Sequence, residues 1–188
     1  MKKIVLLASS MLLYIGVNAQ TWSLDKSHAK LSFAVSHLML SETEGNFKSF
    51  DAKITSVKED FSDAVIEMTA DVASVNTEDE SRDKHLKTAD FFDAEKFPTI
   101  TFKSKSLKKI AGKTYKAVGD FTMHGVTKTV IFDVVFNGTG INSYTKKTIA
   151  GFKIKGMIKR SDFGVGNVPA AVVGEEINVL ANVEFSKN

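Results

Sequence analysis

From Leu31 to the C-terminus, apolar and polar side chains alternate with the two-residue period of β-strands. Leu31, Phe33 and Val35 alternate with Lys30, Ser32 and Ser36, and Ala64, Ile66, Met68, Ala70 and Val72 alternate with Glu67, Thr69 and Asp71. Tyr115, Ala117, Gly119, Phe121 and Met123 oppose Lys116, Asp120 and Thr122, while Val126, Val130, Phe132, Val134 and Phe136 oppose Thr127, Thr129 and Asp133. Near the end, Ile177, Val179, Ala181, Val183 and Phe185 alternate with Glu176, Asn178, Asn182 and Glu184. Each set puts oily side chains on one face and hydrated ones on the other, as antiparallel sheets with one wet side require. Glu44 to Ile54, Thr99 to Leu107 and Ile149 to Lys159 bring the count to about eight strands. Within the first of these the phase slips between Phe47 and Phe50, which predicts a β-bulge. Ala111-Gly112-Lys113, His124-Gly125 and Asn137-Gly138-Thr139-Gly140 are turn signals between strands.

One segment breaks the pattern. Thr77 with Glu80 three residues on reads as a capping box, and Glu78 and Asp79 suit a first helical turn. The spacing predicts a short charged helix from about Glu78 to Thr88, running into Phe91 and Phe92. Pro98 then forces an extended chain into the next strand. A lone polar helix beside paired rings predicts a lid on a β-structure.

The N-terminus changes the picture of where the chain works. Lys2 and Lys3 precede an apolar run of 14 residues, Ile4 to Val17, and Val17-Asn18-Ala19 offers a cleavage site. The run is shorter than the ~20 residues of a membrane span, so residues 1–19 read as a secretory signal peptide and 20–188 as one domain. With no Cys in the chain, lipidation, disulfides and thiolate metal sites are excluded, and the periplasm is the expected compartment. Cleavage leaves 188 − 19 = 169 residues and removes two lysines, so 25 − 2 = 23 basic residues face 22 acidic ones. That balance gives no reason to expect nucleic acid or stable membrane insertion. The lysines from Lys103 to Lys113 recur with strand spacing and read as a solvated face.

Catalytic chemistry is thin. His28, His37, His85 and His124 lie far apart, and no HExxH, nucleophile elbow or P-loop occurs, so neither cofactor nor metal is expected. Asp83 and His85 are two residues apart, and Arg160 sits in Lys159-Arg160-Ser161-Asp162-Phe163-Gly164. A guanidinium there is expected to pair with a carboxylate such as Asp83 or Asp120. Together Arg82, Asp83, His85 and Arg160 are the candidate polar closure at one end.

Eight antiparallel strands can close as a barrel or stack as a sandwich, and the pattern alone leaves both open. Fourteen Phe against one Trp favour a long apolar interior. The small residues Ala117, Gly119, Gly151 and Gly156 on the alternating faces offer gaps that suit a channel. The expected wall is Phe33, Val35, Met68, Phe102, Phe121, Met123, Phe132, Phe152 and Phe163, with Phe91 and Phe92 from the lid.

Several segments carry a family resemblance. Trp22-Ser23-Leu24-Asp25-Lys26-Ser27-His28, Phe33-Ala34-Val35-Ser36-His37-Leu38 and Gly45-Asn46-Phe47 resemble the opening strands of the YceI-like family. Ser74-Val75-Asn76-Thr77, Arg82-Asp83-Lys84-His85-Leu86 and Asp90-Phe91-Phe92-Asp93 follow in the same order, then Gly119 to Lys128 and Arg160 to Gly164. Glu78 departs from the glycine usual in that family, and Phe121 from its commoner leucine. The resemblance implies an all-β, eight-stranded antiparallel lipocalin-like barrel with a short helical segment closing one end. It further implies a periplasmic, often homodimeric protein that binds a polyisoprenoid, a polyprenyl quinone or a fatty-acid-like chain in an apolar tube.

The expected function is therefore a non-enzymatic carrier of a long lipophilic ligand, which gains about 0.8 kcal/mol per buried CH₂. Two other classes remain at this point. One is an enzyme on a lipid-like substrate using Asp83, His85 and Arg160. The other is a structural barrel whose lumen is filled by side chains.

Overall fold

The computed structural model describes residues 19–188, so the predicted signal peptide lies outside the described residues apart from its last one. In chain order the elements are β1 (Gln20–His37), β2 (Ser41–Phe47), β3 (Phe50–Ser56), β4 (Val65–Asp71), β5 (Val75–Asn76), α1 (Glu80–Leu86), β6 (Thr99–Ala111), β7 (Thr114–Met123), β8 (Val126–Ile141), β9 (Thr148–Lys159) and β10 (Val173–Lys187). The sheet order β10-β9-β8-β7-β6-β4-β3-β1 returns on itself through a β10–β1 pairing. This is a closed eight-stranded antiparallel barrel, with β2 and β5 continuing it beside the upper half of β1. The seam between first and last strands runs from Trp22 opposite Lys187 to His37 opposite Val173. Closure pairs each of the eight barrel strands on both sides and leaves a free edge only along β2 and the short β5.

The alternating sets face as their periodicity requires. Phe132 and Val134 on β8, Phe152 on β9 and Val183 and Phe185 on β10 are buried, while Asp133, Lys155 and Asn182 on the same strands are exposed. The lysine-rich run of β6 is solvated as expected: Lys103 pairs with Glu67 at 2.8 Å and Lys105 with Asp120 at 2.6 Å. Glu67 lies between Lys103 and Lys53, whose hydrogen bonds hold its carboxyl down to about 2.

Three local expectations need correction. First, β1 starts at Gln20, well before Leu31, because its register with β10 shifts between Leu24 and Ala29 and breaks the alternation there. Second, the phase slip at Phe47 and Phe50 is more than a bulge. The chain bends at Lys48–Ser49 and divides into two strands, both paired to β1, with Lys48 N–H donating to Ser74 C=O at 3.1 Å. Third, Thr77 is not the helix cap. α1 begins at Glu80 behind Asp79, whose side chain accepts the Arg82 N–H at 2.9 Å. That backbone hydrogen bond lowers the Asp79 pKa.

The cap moves because Glu78 sits in the left-handed region, at φ 61°. A side chain there costs about 1 kcal/mol or more, and glycine adopts the conformation freely. Glu78→Gly, the residue usual in the resembling family, is expected to stabilise the fold by roughly 0.5–1 kcal/mol, offset in part by the extra freedom of the unfolded chain. Thermal melts of Glu78→Gly beside Glu78→Ala check this, and only the glycine variant should rise.

Candidate functional site

The strands' inward faces meet around a cavity of about 190 Å³ along the barrel axis, and the surface it exposes is apolar throughout. An interior filled by side chains is therefore excluded. The wall is supplied by Phe33 and Val35 from β1, Met68 from β4, Phe102 from β6, Phe121 and Met123 from β7, Phe132 from β8 and Phe152 from β9. The rings meet mostly edge to face, as in Phe102 on Phe132 (5.4 Å) and Phe121 on Phe132 (6.2 Å). Phe163 stands apart: it is buried in the 3₁₀ turn after β9, behind Phe121 at 5.4 Å, and does not touch the cavity.

Of the small residues expected to supply the gap, Ala117 lines the cavity and the glycines do not. A side chain on Gly119 would meet the Phe102 ring at 2.6 Å, and one on Gly156 would collide with Phe132. Each glycine seats a ring from the neighbouring strand, so the glycines shape the wall rather than the void. Gly151 faces the other way, toward Asn137. Ala52, Ala117 and Ala181 line the cavity, together with aliphatic residues left out of the expected wall, such as Ile54, Ile66 and Ile154.

One end is covered by α1 and the segment after it. Leu86, Phe91 and Phe92 reach the cavity, and the segment is folded back by Phe92 N–H donating to Leu86 C=O at 3.0 Å. Phe92 packs on Phe47 at 6.0 Å, and Phe47 on Phe33 at 5.7 Å, so the lid continues the ring system of the wall. Phe91 lies directly over Gly166, where a Cβ would approach the ring at 2.8 Å. The opposite end is closed by a residue that sequence reasoning missed. Phe61, 1% exposed at φ 58°, packs among Trp22, Phe136 and Phe152 at 5.1–5.2 Å. Its loop is held by Tyr115 Oη donating to Asp60 C=O (2.6 Å) and by Asp63 accepting Ser56 Oγ (2.7 Å). The only sequence signal was a single aromatic inside a polar turn, Lys58-Glu59-Asp60-Phe61-Ser62-Asp63.

The four polar candidates do not form one closure. Asp83, buried, accepts Thr77 N–H at 2.8 Å and Thr77 Oγ1 at 2.6 Å. Arg82 donates to the same threonine, Nε to Oγ1 at 2.7 Å and Nη2 to the carbonyl at 2.8 Å. Thr77 is thus the post to which the lid helix is tied. His85 points to solvent and shares a hydrogen bond with Asp90 at 3.1 Å, its side chain 57% exposed. Its ring meets Phe91 edge-on at 5.0 Å.

Arg160 pairs with neither Asp83 nor Asp120. Its guanidinium is 3% exposed and donates to the carbonyls of Gly174 (3.0 Å), Val165 (3.2 Å), Val168 (2.8 Å), Val173 (2.9 Å) and Gly166, and to Glu175 Oε1 (2.8 Å). Every donor is engaged, so the one charged side chain that borders the cavity among the described residues has none left for a ligand. Asp83, His85 and Arg160 each belong to a separate network, and among the described residues no acid–base pair faces the lumen.

Among the described residues one group could hold a metal: Asp25, His28 and Glu184, with ligand atoms within 4.8 Å of one another. It lies at the β1 register shift, away from the cavity wall. His28 is hydrogen-bonded to Asp25 at 2.9 Å, which raises the imidazole pKa and lowers that of the carboxyl.

A closed antiparallel barrel, capped at both ends around an apolar lumen, defines the class of ligand-holding barrel proteins. The chain belongs to the YceI-like family: the YceI-like domain model matches residues 22–185. It is 34% identical over 170 residues to a UPF0312 protein of Staphylococcus aureus strain N315, covering 88% of this chain and 96% of the relative. The solved structure of Burkholderia cenocepacia BcnA superimposes with a TM-score of 0.76 at 28% identity, covering 86% of this chain and 98% of BcnA. A polyisoprenoid-binding domain from Saccharophagus degradans, implicated in plant cell wall breakdown, shares the fold at TM-score 0.65 and 14% identity, over 89% of this chain and 98% of that domain.

Proposed function

We propose that the chain is an exported, non-enzymatic binding protein that carries or sequesters one long lipophilic molecule, such as a polyisoprenoid, a polyprenyl quinone or a fatty-acid-like chain, in the barrel lumen. The observation that carries this reading is the all-apolar cavity surface, bordered by an arginine whose donors are all spent. Such a wall recognises hydrocarbon by burial alone, about 25 cal/mol per Å², and offers nothing to a buried headgroup. The ligand-holding residues are then Phe33, Val35, Met68, Phe91, Phe92, Phe102, Phe121, Met123, Phe132 and Phe152. Phe163 serves from behind, by supporting Phe121. Arg82, Asp83 and Arg160 hold the end closure, and His85 lies outside it. The polyisoprenoid-binding neighbour lends support through shared fold alone.

Export to the periplasm rests on residues 1–19, with the working domain beginning at Gln20. Among the described residues no helix is long and apolar enough to cross a membrane. N-terminal sequencing of the periplasmic protein should read Gln20 first; an intact Met1 would make the apolar run an anchor.

Native mass spectrometry of protein purified from its own periplasm should find one long-chain lipid per barrel, chemically unchanged after prolonged incubation. An empty barrel, or turnover that disappears in His85→Gln, would overturn the carrier reading. A smaller effect is expected at the lid. Replacing both Phe91 and Phe92 by Ala is expected to weaken lipid affinity by about tenfold or more, because two rings leave the lumen at roughly 1 kcal/mol or more each. Unchanged affinity in a folded double variant would detach the lid from the site.

A further inference from the structure

Two uncharged loops lie side by side at the lid end of the barrel. The β1–β2 turn carries Leu38, Met39 and Leu40 at 47%, 75% and 87% exposure, and the loop before β10 presents Pro169, Ala170, Ala171 and Val172 to solvent. They are joined by Leu38 N–H donating to Val172 C=O at 3.0 Å. No charged residue occurs from Val165 to Gly174 or from Leu38 to Ser41, although a quarter of the chain is charged. Leu38 and Met39 also hold φ of 53° and 59°, where bulky side chains are disfavoured and Asn or Gly is the usual choice. Three large aliphatic side chains thus stand outward at a turn where neither burial nor backbone preference explains them.

The second loop has an inner side as well. Val165 and Val173 line the cavity, and Arg160 fixes the loop's carbonyls from beneath. One ten-residue segment therefore separates the apolar lumen from the apolar rim. From this continuity we infer that the rim is a docking ridge for the surface of an electrically neutral lipid bilayer, from which the cargo enters or leaves beside the lid. The inference rests on the lumen being a lipid site, as proposed above.

The ridge is small. A handful of protruding side chains falls short of the ~1,200 Å² that a stable protein interface buries, so a second copy fits it poorly. Insertion into a bilayer has no such threshold, since each large aliphatic side chain gains on its own by leaving water. The nearest charges in sequence are Glu42, Asp162, Glu175 and Glu176, of which Asp162 is paired with Lys128 at 3.2 Å and Glu175 with Arg160 at 2.8 Å. With no charge of its own, the ridge should bind zwitterionic lipid and be insensitive to salt.

The test is co-flotation of the mature protein with phosphatidylcholine vesicles. It compares wild type, the double variant Met39→Glu with Leu40→Glu, and Tyr144→Glu as a control. Tyr144 is 93% exposed at the opposite end of the barrel, in the β8–β9 turn. All substituted residues are solvent-exposed, and matching melting curves verify the fold. Wild type and Tyr144→Glu should float in low and high salt, and the ridge variant should lose about tenfold or more. Uptake of a fluorescent polyprenyl alcohol should slow in the ridge variant when supplied from vesicles, and stay unchanged when supplied from ethanol.

Equal flotation of the ridge variant, or loss confined to Tyr144→Glu, would overturn the inference. So would a wild-type protein that ignores vesicles but sediments as a dimer broken by the ridge substitutions, which would make the rim a contact between copies. Flotation lost at the ridge, with no probe bound from either source, would sustain the docking surface and refute the lumen as the lipid site.

Discussion

Arg160→Ala is expected to be the most damaging single change in the domain. It removes a buried cation that satisfies five carbonyls and Glu175, and leaves those acceptors facing an apolar cavity edge. Breaking one side of such a buried network costs about 3–5 kcal/mol. At roughly 2–4 °C per kcal/mol for a chain of this size, the melting temperature should fall by about 10 °C. Arg160→Lys should recover little, because one ammonium with three donors cannot reach acceptors spread around a planar fork. The loop from Gly164 to Val173 should become protease-sensitive in both variants. A melting temperature within about 2 °C of wild type for Arg160→Ala would show that the loop holds itself.

Placing a charge in the lumen should have the largest effect on binding. Phe121→Glu and Met68→Glu each put a carboxylate into a wall without a free donor. A carboxylate without a partner in such surroundings costs several kcal/mol or stays protonated at neutral pH. Folded protein carrying either change should come from the periplasm without lipid, and Phe121→Leu and Met68→Leu should retain it. Met68 is the more decisive position, because it is only partly buried, whereas Phe121 is buried and packs on Phe132 and Phe163. Lipid recovered in normal amount with folded Met68→Glu would move the binding site out of the lumen.

What could be read from the chain follows from which forces are periodic. Strand faces were legible because burial on one side of a sheet repeats every second residue, so the ring positions from Phe33 to Phe152 could be placed inward before any coordinates. The helix was legible as an interruption of that pattern, but its start was not. Glu78 adopts a left-handed backbone, and a side-chain contact from Asp79 replaces the capping box built on Thr77. Arg160's partners were legible only in kind. It does pair with a carboxylate, but with Glu175 rather than with one such as Asp83 or Asp120, and its five other partners are backbone carbonyls, which every residue carries. Phe61 was missed because a plug needs one ring at the right point of a loop, and one ring has no period. The void itself was misattributed to glycines, since sequence cannot say which neighbouring ring fills the space a missing Cβ leaves.

The seam between β1 and β10 also governs how the domain can be made. Trp22 pairs with Lys187, and the pairing continues up to His37 with Val173, so the barrel's first strand finds its permanent neighbour only when the final 15-residue strand is available. Until then the apolar faces of both strands are open, and no smaller closed unit exists among the preceding elements. Such distant pairing makes assembly slow and late, and keeps the polypeptide loose while its tail is still being synthesised. Deleting the whole of the last strand, from Val173 onward, would therefore not trim the molecule but leave an unclosed sheet, prone to pair with its own copies.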